Sequence, residues 1–174
     1  MMYVISRETL IARVRDMIIE ASTKLGKEIT ESLECALKLE TEPLAQNVLE
    51  NILDNQKIAR QEMLPLCQDT GVAVFFIHVG RELAFSYSLT EALNEATARA
   101  YKEGYLRKSM VKHPLNRINT TDNTPAIIHC IEAEGNSLDI TFAPKGGGSE
   151  NMSRLAMLTP SDGRKAPDLR GLAV

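Results

Sequence analysis

The sequence predicts an α+β fold: an N-terminal helical layer, then a small β-sheet with a buried strand and a hairpin. Three observations predict it. Apolar residues recur at three- and four-residue steps through the first sixty or so residues, the pattern of helices with one buried face. An unbroken apolar run, Val72 to Val79, is rich in β-branched and aromatic residues and closed by Gly80, as expected of a strand buried on both faces. Two further apolar stretches flank Gly135-Asn136, a pair suited to a tight hairpin turn.

Each element has its own signal. Leu10, Ile11, Val14, Met17, Ile18 and Ala21 mark an amphipathic helix over residues 7–24, stopped near Gly26. Ile29, Leu33 and Leu37 continue the period in a second, shorter helix, where Cys35 reads as a packing residue. Pro43 suits the first turn of a third helix, whose Leu44, Val48, Leu49, Ile52 and Leu53 form an apolar stripe up to about Gln61. After the strand at Val72 to Val79, Ser88 with Glu91 makes a capping box for a helix through Leu93, Ala96, Ala100 and Tyr101, and Gly104 ends it. The basic segment through Arg107, Lys108, Lys112, His113 and Arg117 reads as irregular and largely solvated. Residues 126–134 and 137–143 form the two arms of the hairpin, with Cys130 packed in the first and Pro144 stopping the second. Ser153 to Leu158 starts a last helix that Pro160, Gly163 and Pro167 cut short. No repeat or linker divides the chain, so residues 1–174 read as a single domain.

Composition narrows the function. The chain is 44% apolar and 25% charged, with a net charge of −3, the profile of a soluble globular protein without an electrostatic footprint for nucleic acid or anionic membrane. Aromatic residues at 5% and the absence of Trp weaken any base-stacking role. There is no signal-peptide core and no long uncharged stretch, so the expectation is a cytoplasmic protein. The three cysteines, Cys35, Cys67 and Cys130, are widely spaced and form no Cys-x-x-Cys pair, which points to reduced thiols. His78, His113 and His129 have no spacing suggestive of a metal site; the first and last fall in apolar strands and read as structural.

Two polar runs carry the chemistry. Leu64-Pro65-Leu66-Cys67-Gln68-Asp69-Thr70-Gly71 places a thiol, a carboxamide, a carboxylate and a hydroxyl on consecutive residues next to a core strand. A thiolate is a soft ligand for iron or zinc, and the amide and carboxylate suit a small oxygenated ligand. Asp69-Thr70-Gly71 equally suits an Asx turn, and Cys67 taken alone reads as ligand or as packing thiol. The second run is Lys145-Gly146-Gly147-Gly148-Ser149-Glu150-Asn151-Met152-Ser153, either a flexible connection or a nest of unhindered N–H groups for an anion. Cys67 as a catalytic nucleophile would need an adjacent base, and proximity in sequence offers only Asp69.

Pro65-Leu66-Cys67-Gln68-Asp69-Thr70-Gly71 and Lys145-Gly146-Gly147-Gly148-Ser149-Glu150-Asn151 resemble the motifs of class I, iron–sulfur-dependent fumarate hydratases and the related L-tartrate dehydratase alpha subunits. The resemblance covers roughly residues 8–163, the N-terminal portion of that family, and leaves out the tail from Arg164 to Val174. It implies a [4Fe–4S] hydro-lyase that interconverts fumarate and malate, or dehydrates tartrate. Cys67 matches a cluster ligand; Gln68, Asp69, Arg107 and Gly148 match substrate-binding positions. The implied partners are a small dicarboxylic acid, the remaining portion of an alpha subunit and a beta subunit or domain, in a hetero- or homo-oligomer.

The same resemblance places the second and third cluster cysteines, the catalytic base and further substrate contacts outside these residues. Cys35 and Cys130 do not match the missing cysteines. The expectation is therefore a fragment or remnant rather than a naturally split subunit, one that alone holds no stable cluster and catalyses no hydration. The competing expectation is a non-catalytic dicarboxylate-binding or assembly module derived from that family.

Overall fold

The structure, a computed structural model, describes residues 3–148 together with Leu155, Met157 and Thr159. The expected helix at Ser153 to Leu158, the tail and Ser149 to Ser153 of the second motif lie, but for Leu155 and Met157, outside the described residues. The elements in chain order are β1 (Tyr3–Val4), α1 (Arg7–Thr23), α2 (Lys27–Leu39), α3 (Pro43–Glu62), β2 (Val72–Gly80), β3 (Leu83–Ala84), α4 (Leu89–Glu103), β4 (Ile127–Ala133) and β5 (Leu138–Lys145). This is the α+β class expected from the sequence.

Local signals place the helices. Ser6 caps α1, its hydroxyl accepting from the Thr9 amide at 3.2 Å, and Ser88 caps α4 by accepting from the Glu91 amide at the same distance. Pro43 occupies the first turn of α3, and Met63 ends that helix in the left-handed conformation. The core is formed where α1 and α4 cover one face of β2. Leu10, Ile11, Val14 and Ile18 of α1 meet Leu93, Ala96, Ala100 and Tyr101 of α4 over Ala73, Phe75 and Ile77. Small residues on α4, Ala92, Ala96 and Ala100, let α1 pack closely against it, and a partly exposed Arg7, Glu95, Arg99 and Glu8 charge network spans the two helices.

The sheet corrects the expected hairpin. Its order is β4-β2-β5, with β2 parallel to β4 and antiparallel to β5. The most apolar strand takes the centre, and α4 supplies the crossover that parallel pairing of β2 with β4 requires. The Gly135-Asn136 turn therefore arches over the end of β2 instead of closing a two-stranded ribbon. Its backbone partners come from there: Gly80 N–H donates to Ser137 O at 2.8 Å, and Glu82 N–H donates to Gly135 O at 2.9 Å. Gly80 is required by this approach, since a Cβ there would lie 2.4 Å from Gly135 O.

Other expectations are corrected by which faces the layers cover. β2 buries only one face among the described residues; Ala73, Phe75 and Ile77 point to the helices while Phe76 is 48% exposed, its ring stacked on His129. Of the α3 stripe only Leu53 is buried and Leu44 is 73% exposed, because α2 and α3 pair mainly with each other and α2 buries no residue. For the same reason Cys35 is exposed, and Cys130 is exposed because β4 is a sheet edge that the helices cover only in part. His78 is exposed as well. Pro144 does not stop β5 but lies within it, opposite Ala73; β5 is also an edge strand, where a residue without an N–H is tolerated.

Candidate functional site

The loop from α3 to β2 carries the first motif and is pinned at its start. Leu66 N–H donates to Ser22 O at 2.9 Å, and the Asn55 amide donates to Leu66 O at 2.9 Å, fixing the loop to α1 and α3. Cys67 and Gln68 then project into solvent, the thiol 3.6 Å from the Gln68 carbonyl oxygen. Thr70 turns inward, its hydroxyl donating to Arg107 O at 3.0 Å. The chain enters β2 through Gly71.

Asp69 joins the two motifs. Its Oδ1 accepts from Gly71 N–H at 3.2 Å, an Asx turn, and its Oδ2 accepts from Gly147 N–H at 2.8 Å across 78 residues of sequence. The turn reading of Asp69-Thr70-Gly71 thus holds, and the same carboxylate makes a bridge to the glycine run that the sequence did not announce. The Gly147 amide holds the Asp69 carboxyl below the usual carboxylate range, helped by Gly71 and the charge of Arg107 and opposed by partial desolvation. Asp69 is therefore ionised at neutral pH and serves as an acceptor, not as a proton donor.

Gly71 makes the junction sterically possible. It has φ +67° and sits against the backbone of Lys145 and Gly146, where a Cβ would lie 2.2 Å from Lys145 O. Its carbonyl is held by two buried side chains. Tyr101, on α4, places its hydroxyl 3.1 Å from both Thr70 O and Gly71 O, and Asn123 donates from Nδ2 to Gly71 O at 3.1 Å. Burial and then the nearby Asp69 charge push the Tyr101 phenol up to about 12, so it stays a donor throughout the working range. Tyr101→Phe is expected to lower stability by about 1–3 kcal/mol by leaving buried carbonyls short of a donor. Urea unfolding checks this, and an unchanged midpoint would show that the phenol does not anchor the loop.

Together these contacts form an open cleft of about 410 Å³, lined by Asp69, Gly71, Val72, Arg107, Ser109, Ile127 and Lys145 to Gly147. Arg107 and Lys145 give it positive charge, and the Ser109 hydroxyl is buried with no hydrogen-bond partner among the described residues. Gly148 follows, exposed, with no atom of the described residues within 4 Å of where a Cβ would stand. Cys67 borders an adjoining hollow shared with Ser22, Asp69, Thr70 and Pro144. Of the residues singled out from sequence, Asp69 and Arg107 therefore meet in one cleft, and Cys67, Gln68 and Gly148 flank it on the same two loops.

The described residues offer this site one thiol. Cys35 lies on α2 and Cys130 on β4, and no three His, Cys, Asp or Glu side chains among the described residues converge as metal ligands. They do not by themselves fit a cubane cluster, whose irons each need a protein or substrate ligand. Nor does Asp69 offer a base to Cys67 as a nucleophile, since its carboxyl is held below the usual carboxylate range and the thiol lies against the Gln68 side-chain oxygen. His113 uses Nδ1 to accept the Leu115 amide and so braces its own loop. Sequence reasoning counted Tyr101 only as core and passed over Asn123 and Ser109. The one signal for Asn123 was the dense turn-forming run from Asn119 to Pro125, which says nothing of its partners.

The fumarate hydratase (Fumerase) family matches residues 11–168. A putative L(+)-tartrate dehydratase subunit alpha of Methanocaldococcus jannaschii is 38% identical over 162 residues, 87% of this chain and 56% of the relative. A putative fumarate hydratase class I of Geobacillus stearothermophilus is 31% identical over 95% of this chain and 33% of its own length. An L(+)-tartrate dehydratase subunit alpha of Escherichia coli K12 is 27% identical over 82% of this chain and 48% of its own. The chain spans between a third and somewhat over half of the length of these curated relatives.

Proposed function

This chain belongs to the fumarate hydratase (Fumerase) family, and from that membership we propose that it forms part of a hydro-lyase that interconverts fumarate and malate or dehydrates tartrate. The observation that carries the reading is the Asp69 bridge. It brings Arg107, Lys145 and unhindered glycine backbone into one cleft from three distant segments of the chain. That set suits a small dianion: the Arg107 fork binds a carboxylate in two-point fashion, and the N–H groups near Gly148 approach the other end. An ionised Asp69 accepts only, so it orients the hydroxyl of malate or tartrate, with Gln68 beside it. Nothing in this constellation removes the carbon-bound proton, because Asp69 is held too acidic to be an effective base at neutral pH.

Cys67 supplies one thiolate to a [4Fe–4S] cluster whose other ligands, like the catalytic base, come from outside the described residues or from a partner polypeptide such as a beta subunit. Free thiols at all three cysteines support a cytoplasmic setting, and no described helix is long and apolar enough to cross a membrane. The single thiolate favours one alternative, a dicarboxylate-binding module that works without a cluster.

The deciding experiment is anaerobic capture of the complex from its source cells, followed by assay with fumarate, malate and tartrate and by iron analysis. Cys67→Ala is expected to remove iron and turnover together. Diacid binding that survives Cys67→Ala in a complex that never turns over would favour the binding module. Undiminished turnover in Cys67→Ala would sink the cluster assignment. The isolated chain is expected to form no stable cubane on reconstitution, measured by its visible absorption after desalting. Gly148→Ala is expected to leave stability within about 0.5 kcal/mol, since no atom of the described residues lies within 4 Å of that Cβ, while weakening diacid binding; equal binding would remove Gly148 from the site.

A further inference from the structure

We infer that Asn123 is the positioning residue of the cleft, setting the spacing between the segment that bears Asp69 and the segment that bears Arg107. Its side chain is fully buried and shared between them. Nδ2 donates to Gly71 O at 3.1 Å, and Oδ1 accepts from Ser109 N–H at 2.7 Å and Met110 N–H at 3.1 Å. Gly71 is two residues beyond Asp69, and Ser109 two beyond Arg107. One planar carboxamide therefore clamps both walls at the same remove from the charged group each carries.

The residue type follows from the task. A carboxamide carries its donor and its double acceptor on two separate atoms of one short rigid group, as the two walls require; an ionised carboxylate lacks the donor and an aliphatic side chain lacks both. The backbone of Asn123 is left-handed, φ +64°, a conformation that Asn takes more readily than most residues and that Gly takes freely. The Asp69 bridge to Gly147 depends on where the Asp69-Thr70-Gly71 turn lies, so releasing Gly71 releases the bridge. Thr70 adds a single link between the same two segments, its hydroxyl donating to Arg107 O, and Tyr101 holds the turn from α4, but neither reaches the amides of Ser109 and Met110.

The inference rests on the reading of the cleft as a diacid site, and two readouts keep the two apart. Asn123→Gly preserves the backbone conformation and deletes the clamp. In the captured complex, kcat/KM for fumarate or malate is expected to fall about 100-fold, the effect of misplacing binding groups by about an ångström. In the full chain alone, the Gly147 amide proton, read by nitrogen-15 NMR, is expected to move upfield toward the shift of an amide without a carboxylate acceptor as its contact with Asp69 loosens. Asn123→Asp keeps the acceptor but sets a carboxylate against Gly71 O; its kcat/KM is expected to recover in part as the pH is lowered and that carboxyl regains a proton to donate. A merely structural role would lower the unfolding midpoint and leave the Gly147 amide shift where it is in folded molecules, and that result overturns the inference. Should Asn123→Gly fail to fold, the same amide shift in Asn123→Asp decides it. A wild-type complex that turns over no diacid would sink the diacid reading while the Gly147 amide shift still judges Asn123.

Discussion

Gly71→Ala is expected to destabilise the chain by about 3 kcal/mol or more, the largest single effect of any glycine substitution among the described residues. Two costs add. A left-handed backbone costs an L-residue about 1–2 kcal/mol, and the new Cβ would stand 2.2 Å from Lys145 O and 2.7 Å from Gly146 N, so backbone must move at a cost of about 1–3 kcal/mol. The displaced backbone carries the carbonyl that Tyr101 and Asn123 hold, so neither anchor can stay in place unchanged. Gly135→Ala is the control. It too has positive φ, +83°, yet no atom of the described residues lies within 4 Å of its Cβ, so only the conformational cost remains. Urea unfolding of both variants measures the difference, and equal losses would show that the close approach of the two motifs does not contribute to stability.

Asp69→Asn is expected to keep the fold and lower diacid turnover of the completed complex by about 100-fold or more, through lost orientation of substrate and of the glycine run. The amide can accept one backbone N–H but turns its own donors toward the other, and Arg107 loses its neighbouring charge. The pH dependence gives an independent check. The folded carboxyl is held below its unfolded value, so the stability it contributes is complete above the ordinary carboxylate range and is lost as pH falls through the depressed value. The difference in unfolding free energy between wild type and Asp69→Asn should thus be constant from neutral pH to mild acid and close only in strong acid. A difference that closes near neutrality would mean that the Gly147 amide is not Asp69's partner in solution.

Much of this organisation was legible in the chain. Pro43 at the start of α3 and Ser88 with Glu91 at the start of α4 are local signals read within a few residues, and each marks an element boundary in the structure. The apolar periodicity of α1 and α4 also identified their buried faces, because both helices pack on the core. The same reasoning misjudged α3: a periodic stripe shows which face is apolar, and whether that face is covered depends on a neighbour that the local sequence does not name. Gly135-Asn136 misled similarly. A turn pair reverses the chain, but whether the flanking strands pair with each other or admit a third between them is a competition for backbone partners, won here by the more apolar β2.

The sequence by itself determined the α+β class, the two motif loops, the charged and thiol groups they carry and the family resemblance, since all of these are written in contiguous residues. The tertiary structure alone decided that Asp69 closes onto Gly147, that Gly71 must lack a side chain where the loops touch, and that Tyr101 and Asn123 hold the junction. Those facts join residues between 30 and 78 positions apart. Contacts at such range are set by the packing of α4 on β2 and by which buried backbone groups still need a partner, a condition of the whole fold that no local pattern records.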